Sequence, residues 1–372
     1  MPRRDMPTIW KIEPHTTAKH EILRHYLEAW FPILARWNGR VLFIDGFAGP
    51  GIYGGGEPGS PLIAIKTLLD HAMFARLHCE FVFLFMEPDG KRAASLNAQL
   101  TAFFASRPQP KNVHVEVLGT TFEDAAETVL RQLDEQKKRL APTFAFIDPF
   151  GFSGMPLEVI GRLLSFNKCE VFLNFMYDWV NRFVDNPEQQ ENFKSLFGTD
   201  SYRAASKLSG RPRFDFLLEL YTSQLRERCK FEFVQSFSMI HASGHIGNVL
   251  IYGTRSLDGV RVMKDAMWKV DADAGTQFSD RFHDQEVLFT GRNVDVAPLR
   301  TALVQRYAGR DVRVEEIVRF VLTETPYAAG HWNRLVLSPL EREGAITVTA
   351  SPRKKRFTFP EGTVVRFPGQ SA

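Results

Sequence analysis

Arg40-Val41-Leu42-Phe43-Ile44-Asp45 runs directly into Gly46-Phe47-Ala48-Gly49-Pro50-Gly51. A short apolar run that closes on a carboxylate and a glycine-rich turn is expected of a strand buried on both faces of a parallel sheet. The glycines allow a tight turn and close approach of a ligand to the backbone, and Asp45 can accept hydrogen bonds from a cationic or amide group. Beyond the turn, Ser60-Pro61 reads as the start of a helix, with Ser60 at the N-cap and Pro61 at the first helical position.

The same pattern extends in both directions. Upstream, residues 19–34 carry Ile22, Leu23, Tyr26, Leu27, Trp30 and Leu34 close to helical spacing. Downstream, Phe81-Val82-Phe83-Leu84-Phe85-Met86-Glu87 is a second apolar strand ending in an acid, and residues 113–118 form a third. Phe144-Ala145-Phe146-Ile147-Asp148 is a fourth that ends in an acid, and Val171-Phe172-Leu173-Asn174-Phe175 a fifth. Helices are expected over 90–104 and 123–139. This alternation predicts a doubly wound, mostly parallel α/β sheet. Strands at 231–239 and 247–253 are separated only by a short Gly/Ser/His loop, so they are expected to pair as an antiparallel hairpin.

Length and composition bound the organisation. A chain of 372 residues with 44% hydrophobic and 24% charged residues and no low-complexity tract is expected to be folded throughout. Its length suits a main domain and a smaller one, here placed at 1–285 and 286–372. No apolar run approaches the roughly 18–20 residues needed to cross a bilayer, and the first residues lack a signal-peptide stretch. A cytoplasmic protein without a membrane partner is the expectation. Cys79, Cys169 and Cys229 are far apart and lie in or beside apolar stretches, as buried reduced thiols do. His241, His245 and His283 fall in a hairpin loop and a linker without accompanying acids, so no metal is expected.

Charge is unevenly placed. Residues 286–372 hold 13 Lys/Arg against 9 Asp/Glu, a balance of +4, and the rest of the chain is at −1. The basic quarter also changes pattern, to helices at 297–307, 315–323 and 328–343 and then strands at 345–349 and 357–367 around Arg353-Lys354-Lys355-Arg356. Three helices followed by a basic hairpin predict a winged helix. Its helix at 331–343 would be the recognition helix, with Asn333, Arg334 and Arg342 facing nucleic acid and Arg353, Lys354, Lys355 and Arg356 on phosphates. A winged helix also serves as a protein-binding module.

Carboxylates at the C-terminal ends of parallel strands point into the crevice where open α/β sheets bind ligands. Three strands end so, at Asp45, Glu87 and Asp148. Glu87 is placed to accept both ribose hydroxyls of an adenosine-containing ligand. Asp148-Pro149-Phe150-Gly151 occupies the position where amino-methyltransferases carry an Asp/Asn-Pro-Pro-aromatic motif that takes the hydrogen bonds of the target amine and stacks its base. Here the aromatic comes one position early. Asn174-Phe175-Met176-Tyr177-Asp178 could add a second polar and aromatic wall, or simply extend the core.

Sheet, glycine turn and terminal hairpin together resemble the Rossmann-like, class I S-adenosylmethionine-dependent methyltransferase fold. Lys19-His20-Glu21-Ile22-Leu23, Ile44-Asp45-Gly46-Phe47-Ala48-Gly49-Pro50-Gly51, Gly56-Glu57-Pro58-Gly59-Ser60-Pro61, Phe146-Ile147-Asp148-Pro149-Phe150-Gly151 and Ala266-Met267-Trp268-Lys269-Val270-Asp271 look more particularly like the three-Cys-motif partner (TcmP) proteins. That resemblance spans nearly the whole chain. It implies a phage-type Gp37/Gp68 partner carrying the three-Cys motif, in a repair-like or phage-related assembly to which this chain would add DNA binding without turnover. A looser similarity is to the 23S rRNA adenine-N6 methyltransferases, whose equivalent of the Lys19-His20 helix lies over the cofactor. That likeness implies S-adenosylmethionine held by Lys19, His20, Asp45, Phe47, Gly49, Gly51 and Glu87, with Asp148, Pro149 and Phe150 at an amino group of DNA or RNA.

Overall fold

The computed structural model describes residues 7–241, 243–271, 275–279 and 294–369. Apolar runs become the strands β1 (Arg40–Asp45), β2 (Glu80–Met86), β3 (Val113–Leu118), β4 (Thr143–Ile147) and β5 (Cys169–Phe175), all parallel to one another. β6 (Phe233–Ile240) and β7 (Ile246–Thr254) form the antiparallel hairpin, β7 pairing with β5. With the short strand β8 (Gln277–Ser279), the order is β3-β2-β1-β4-β5-β7-β6-β8. The fold is the Rossmann-like doubly wound sheet that the alternation of strands and helices predicts. Strand order reverses between β1 and β4, and Asp45 is in register with Phe85 on one side and Phe146 on the other. The ligand crevice of such a sheet opens at that reversal.

Helix α1 (Pro14–Ala35) crosses one face of the sheet. Its Tyr26 and Trp30 rings lie 5.0 and 5.9 Å from Phe144, and Phe31 reaches Phe81 and Phe83. Phe43 stacks on Phe144 at 6.1 Å, so rings from β1, β2, β4 and α1 make a continuous aromatic layer. A buried polar network sits within it. Glu170 accepts the hydroxyls of Tyr26 (2.7 Å), Tyr252 (2.9 Å) and Thr254 (2.7 Å), joining α1, β5 and β7. Burial pushes the Glu170 carboxyl above its usual range, opposed by those hydroxyls.

The other face packs Leu42, Ile44, Ala145, Ile147, Val171 and Leu173 beneath helices that the periodicity left unassigned. These are α5 (Leu157–Leu163), α6 (Tyr177–Phe183), α7 (Gln190–Phe197) and α8 (Gly210–Glu227), which join α4 (Phe122–Glu135). Helices α2 (Ser60–Leu69) and α3 (Gly90–Ser106) follow the first two strands. One local expectation is corrected at α2: Gly59 is the N-cap, Ser60 is already helical, and no side chain caps the helix. Ser60 turns instead to the buried Asp45 carboxylate.

The chain divides into two compact units, Met1–Ser256 with Phe278–Asp284, and Leu257–Gln277 with Gln285–Ala372. The expected break at 285/286 and His283 lie outside the described residues. Helix α9 (Leu257–Val270) belongs to the second unit, away from the first domain where the 1–285 boundary would put it. The cause is local. Buried Lys264 donates to the carbonyls of Val321, Thr325 and Tyr327, and Trp268 Nε1 donates to Pro326 O at 3.0 Å. Those acceptors lie at or just past the C-terminus of α11 (Val314–Glu324), where carbonyls lack helical partners and the dipole favours a cation. Burial alone pushes Lys264 down to about 7.

The rest of this unit is α10 (Ala297–Tyr307), α12 (Ala329–His331), α13 (Ser338–Arg342) and a three-stranded antiparallel sheet ordered β10-β11-β9. Its strands are β9 (Asp311–Arg313), β10 (Thr347–Ala350) and β11 (Val364–Arg366). The helix expected over 328–343 is interrupted, because Trp332–Leu337 winds as a π-helix in which the Ser338 N–H reaches Asn333 O. Pro339 removes the next donor and crowds the preceding turn, so a widened turn resolves the conflict. The strand expected over 357–367 shortens to β11, since Thr363 N–H turns back to Pro360 O and Gly362 takes φ +83°. No helix among the described residues is long and apolar enough to cross a membrane.

Tyr26→Phe leaves Glu170 short of one donor in a buried layer. It is expected to lower unfolding free energy by about 1–3 kcal/mol, read from urea midpoints at constant slope.

Candidate active site

The turn after β1 is held open by its neighbours. Gly46 N–H donates to Phe146 O and Ala48 N–H to Met86 O, both at 2.9 Å, so the turn is anchored to the ends of β4 and β2. Gly49 and Gly51 take φ +64° and +79°, a region that costs an L residue roughly 1–2 kcal/mol. At Gly51 space is also short, because a Cβ would lie 2.8 Å from Leu96 Cδ1.

Asp45 sits under this turn with 0% exposure. One oxygen accepts the Phe47 N–H at 3.2 Å, while Oδ2 has no hydrogen-bond partner. Burial pushes the carboxyl up to about 7, opposed by the Ser60 hydroxyl and the Phe47 N–H. A buried acceptor without a donor is costly, and it matches a site built to receive a cation or N–H from a ligand. Glu87, just past β2, is also buried, and Oε1 accepts the Asp89 N–H at 2.8 Å. Burial raises its carboxyl above the usual range. Asp89 in turn caps α3 through the Lys91 and Arg92 N–H groups. Phe47 reaches over Gly154, where a Cβ would meet its ring at 3.6 Å.

Asp148 ends β4 on the far side of the reversal. Lys19 of α1 forms an ion pair with Oδ2, and Asn174 Nδ2 donates to Oδ1 at 2.8 Å. Asn174 is oriented by Asn248, whose Nδ2 donates to Asn174 Oδ1 at 2.5 Å. Lys19, expected at the cofactor, is therefore committed to the Asp148 carboxylate. His20 is buried, and its ring lies 5.7 Å from Tyr53. Burial and the Lys19 charge push it down to about 3, so it is neutral at physiological pH, with only Asp148 opposing. Pro149 is buried and Phe150 is 50% exposed.

Four further residues complete the crevice. Trp10, ahead of α1, accepts the Gly54 N–H at 2.8 Å through its carbonyl. Its ring meets Tyr53 at 5.9 Å and Phe150 at 5.2 Å, both edge to face. Arg92 lies 5.3 Å from the Trp10 ring and 5.6 Å from Phe150. Asn248 is the fourth. Trp10 and Tyr53 sit in segments without periodicity, and Arg92 and Asn248 in ordinary helix and strand positions, so only their partners distinguish them.

In the second unit, Arg334, Lys354, Lys355 and Arg356 are exposed and Asn333 is half-buried. Arg342 lies 4.9 Å from the Phe357 ring. Arg353 departs from the expected role of a free phosphate ligand, because both its terminal nitrogens pair with Glu341, at 2.9 and 2.7 Å.

No protein-family model and no curated protein matches the chain. Among solved structures it overlaps a Clostridium thermocellum protein described as an rRNA methylase, at 11% identity over 65% of this chain and 97% of that one, with a TM-score of 0.31. The METTL16 MTase domain overlaps at 14% identity over 62% and 66%, with a TM-score of 0.30. A human methyltransferase 10 domain containing protein overlaps at 15% identity over 63% and 82%, also with a TM-score of 0.30. Overlap this partial carries no weight for the site, which rests on its own geometry.

Asp45 titrates higher folded than the roughly 3.9 of an unfolded aspartate. Its stabilising protonation is therefore complete below about pH 4 and lost as pH rises through about 7. Relative to Asp45→Asn, the wild-type protein is expected to lose stability, by a few kcal/mol, between about pH 4 and 7 in urea titrations. Parallel profiles for the two proteins would contradict the burial argument.

Proposed function

We propose that the chain is an S-adenosylmethionine-dependent methyltransferase of the class I type that modifies an amino group of a nucleic acid. The observation that carries this reading is the convergence of Asp45, Glu87 and Asp148 on one crevice, one of them with a buried, unpartnered oxygen. Asp45, Phe47, Gly49 and Gly51 would hold the methionyl end of the cofactor, Glu87 the ribose, and neutral His20 with Tyr53 would line the pocket. When bound, the cofactor supplies an electrophilic methyl group on a sulfonium.

The chain's own residues then position the amine. Asp148 keeps lone pairs beyond those taken by Lys19 and Asn174 and can accept an amine N–H, aligning the nitrogen for in-line transfer. Gaining the cofactor's methyl group would oblige the nitrogen to lose a proton, and Asp148, already the acceptor of that N–H, is the residue placed to receive it. Lys19, paired with Oδ2, would hold the carboxylate in position for that acceptance. Phe150, half exposed and braced edge-on by Trp10, offers a face to a base, a stacking interaction worth about 1–3 kcal/mol. The second unit is read as a winged helix whose Asn333, Arg334, Arg342, Lys354, Lys355 and Arg356 approach the nucleic acid.

A second reading has two observations in its favour. Both oxygens of Asp148 are already engaged, and the motif lacks its second proline, as suits a DNA-binding partner of a three-Cys-motif Gp37/Gp68-type protein that retains the fold without turnover.

Labelled methyl transfer to DNA, rRNA and tRNA separates the two. The expected result is transfer to one class that falls about 100-fold or more in Asp148→Ala, with cofactor binding by calorimetry lost in Glu87→Ala. Cofactor binding without transfer to any substrate would establish the second reading. Transfer that survives Asp148→Ala would remove that residue from catalysis.

Replacing Lys354, Lys355 and Arg356 together by alanine is expected to weaken nucleic-acid binding uniformly across sequences. On duplex DNA, the slope of log K against log salt should become shallower by about 0.9 for each phosphate that the variant no longer neutralises. An unchanged slope would exclude the turn from the interface.

A further inference from the structure

Asp178 lies in the first turn of α6, shortly after Asn174. His241 and His245 belong to the loop joining β6 to β7. Because β7 runs antiparallel to β5, with Phe175 opposite Val249, that loop returns to the sheet edge from which α6 departs. The acid that the two histidines lack in sequence is thereby supplied in space. His245 Nε2 is 3.1 Å and His241 Nε2 is 3.5 Å from Asp178 Oδ2, and a donor atom from each residue lies within 4.8 Å of the others. Metal bonds of 2.0–2.1 Å in a tetrahedron place neighbouring donors about 3.3 Å apart, a value the two measured separations bracket.

The surrounding backbone is shaped for these rings. His241 N–H donates to His245 O at 3.0 Å and Gly244 N–H to His241 O at 2.8 Å. The His241 ring lies over Gly247, where any Cβ would sit 1.9 Å from its Nε2. Ser243 Oγ is hydrogen-bonded to His245 Nδ1, leaving Nε2 toward Asp178. A partner on the distal nitrogen is how ligating histidines are usually held. His15 packs edge-on against His241 at 5.4 Å.

We infer that Asp178, His241 and His245 form a binding site for a divalent transition-metal ion of the zinc class. Two imidazoles and one carboxylate suit such ions over calcium or magnesium, which prefer all-oxygen shells. Three protein ligands leave at least one position for water or another oxygen donor. The ion would clip the start of α6 to the β6–β7 loop, bracing the wall that carries Asn174 and Asn248. The site is independent of the methyltransferase reading.

The test uses the full-length protein, stripped with chelator, with cobalt(II) as the spectroscopic probe and zinc as the competitor. One cobalt per chain is expected, with visible absorption of a low-coordinate site that zinc abolishes, and the thermal midpoint should rise with zinc. Asp178→Asn keeps the shape and removes the charge, so it should weaken uptake at least 10-fold while circular dichroism stays unchanged. Gly247→Ala, which displaces the His241 ring, should do the same. No stoichiometric cobalt signal, or equal uptake by wild type and a His241→Ala/His245→Ala variant, would overturn the site.

Discussion

The ion pair between Lys19 and Asp148 joins the two halves of the crevice. Lys19 comes from the helix laid across the sheet, and Asp148 from the strand beyond the reversal of strand order. Their pairing places the N-terminal approach to α1, with Trp10, beside the end of β4, with Phe150. The pair is largely withdrawn from water, so it depends on geometry and further hydrogen bonds to offset desolvation. Asn174, backed by Asn248, supplies one of them. Removing either charge would strand the other in the crevice, which ties the position of α1 to the chemistry at the strand ends.

Two carboxylates near this pair behave differently for reasons of environment. Asp148 is partly exposed and directly paired, whereas Asp45 is fully buried with only neutral donors and a free Oδ2. Glu87 lies between these cases, buried but reached by the Asp89 N–H. Three acids of similar sequence context thus acquire separate surroundings: Asp45 keeps an oxygen without a donor, Glu87 accepts a backbone N–H, and Asp148 is paired with a cation. Glu170, a fourth buried acid, is saturated by hydroxyls and serves the packing of α1 on β5 and β7.

The second unit has its own fixed point in Lys264, whose burial is matched by carbonyls at and beyond the end of α11. A lysine at a helix C-terminus is favourable electrostatically, and here it recruits α9 into the unit. Within the same unit Arg353 is neutralised by Glu341. Of the basic residues expected to face nucleic acid, Arg334, Arg342, Lys354, Lys355 and Arg356 stay exposed.

Local chemistry alone was enough to read the strands β1 to β7, the antiparallel hairpin and the strand-end acids, because a buried strand is a continuous apolar run and a glycine turn is a local conformational demand. The bounds of β1 and β3 are legible to the residue for that reason. Helices α5 to α7, of seven or eight residues each, span too few turns for a helical period to show, and the 18-residue α8 was not read from the sequence. The π-turn at Trp332–Leu337 was not legible either, because the effect of Pro339 on the helix expected over 328–343 depends on what the turn packs against. Tertiary structure alone decided that Lys19 meets Asp148 across 129 positions of chain, that Ser60 serves Asp45 instead of capping α2, and that Asp178 meets His241 and His245. Such pairings join side chains far apart in sequence, and no periodicity records them, because only the closed sheet brings their atoms within bonding distance.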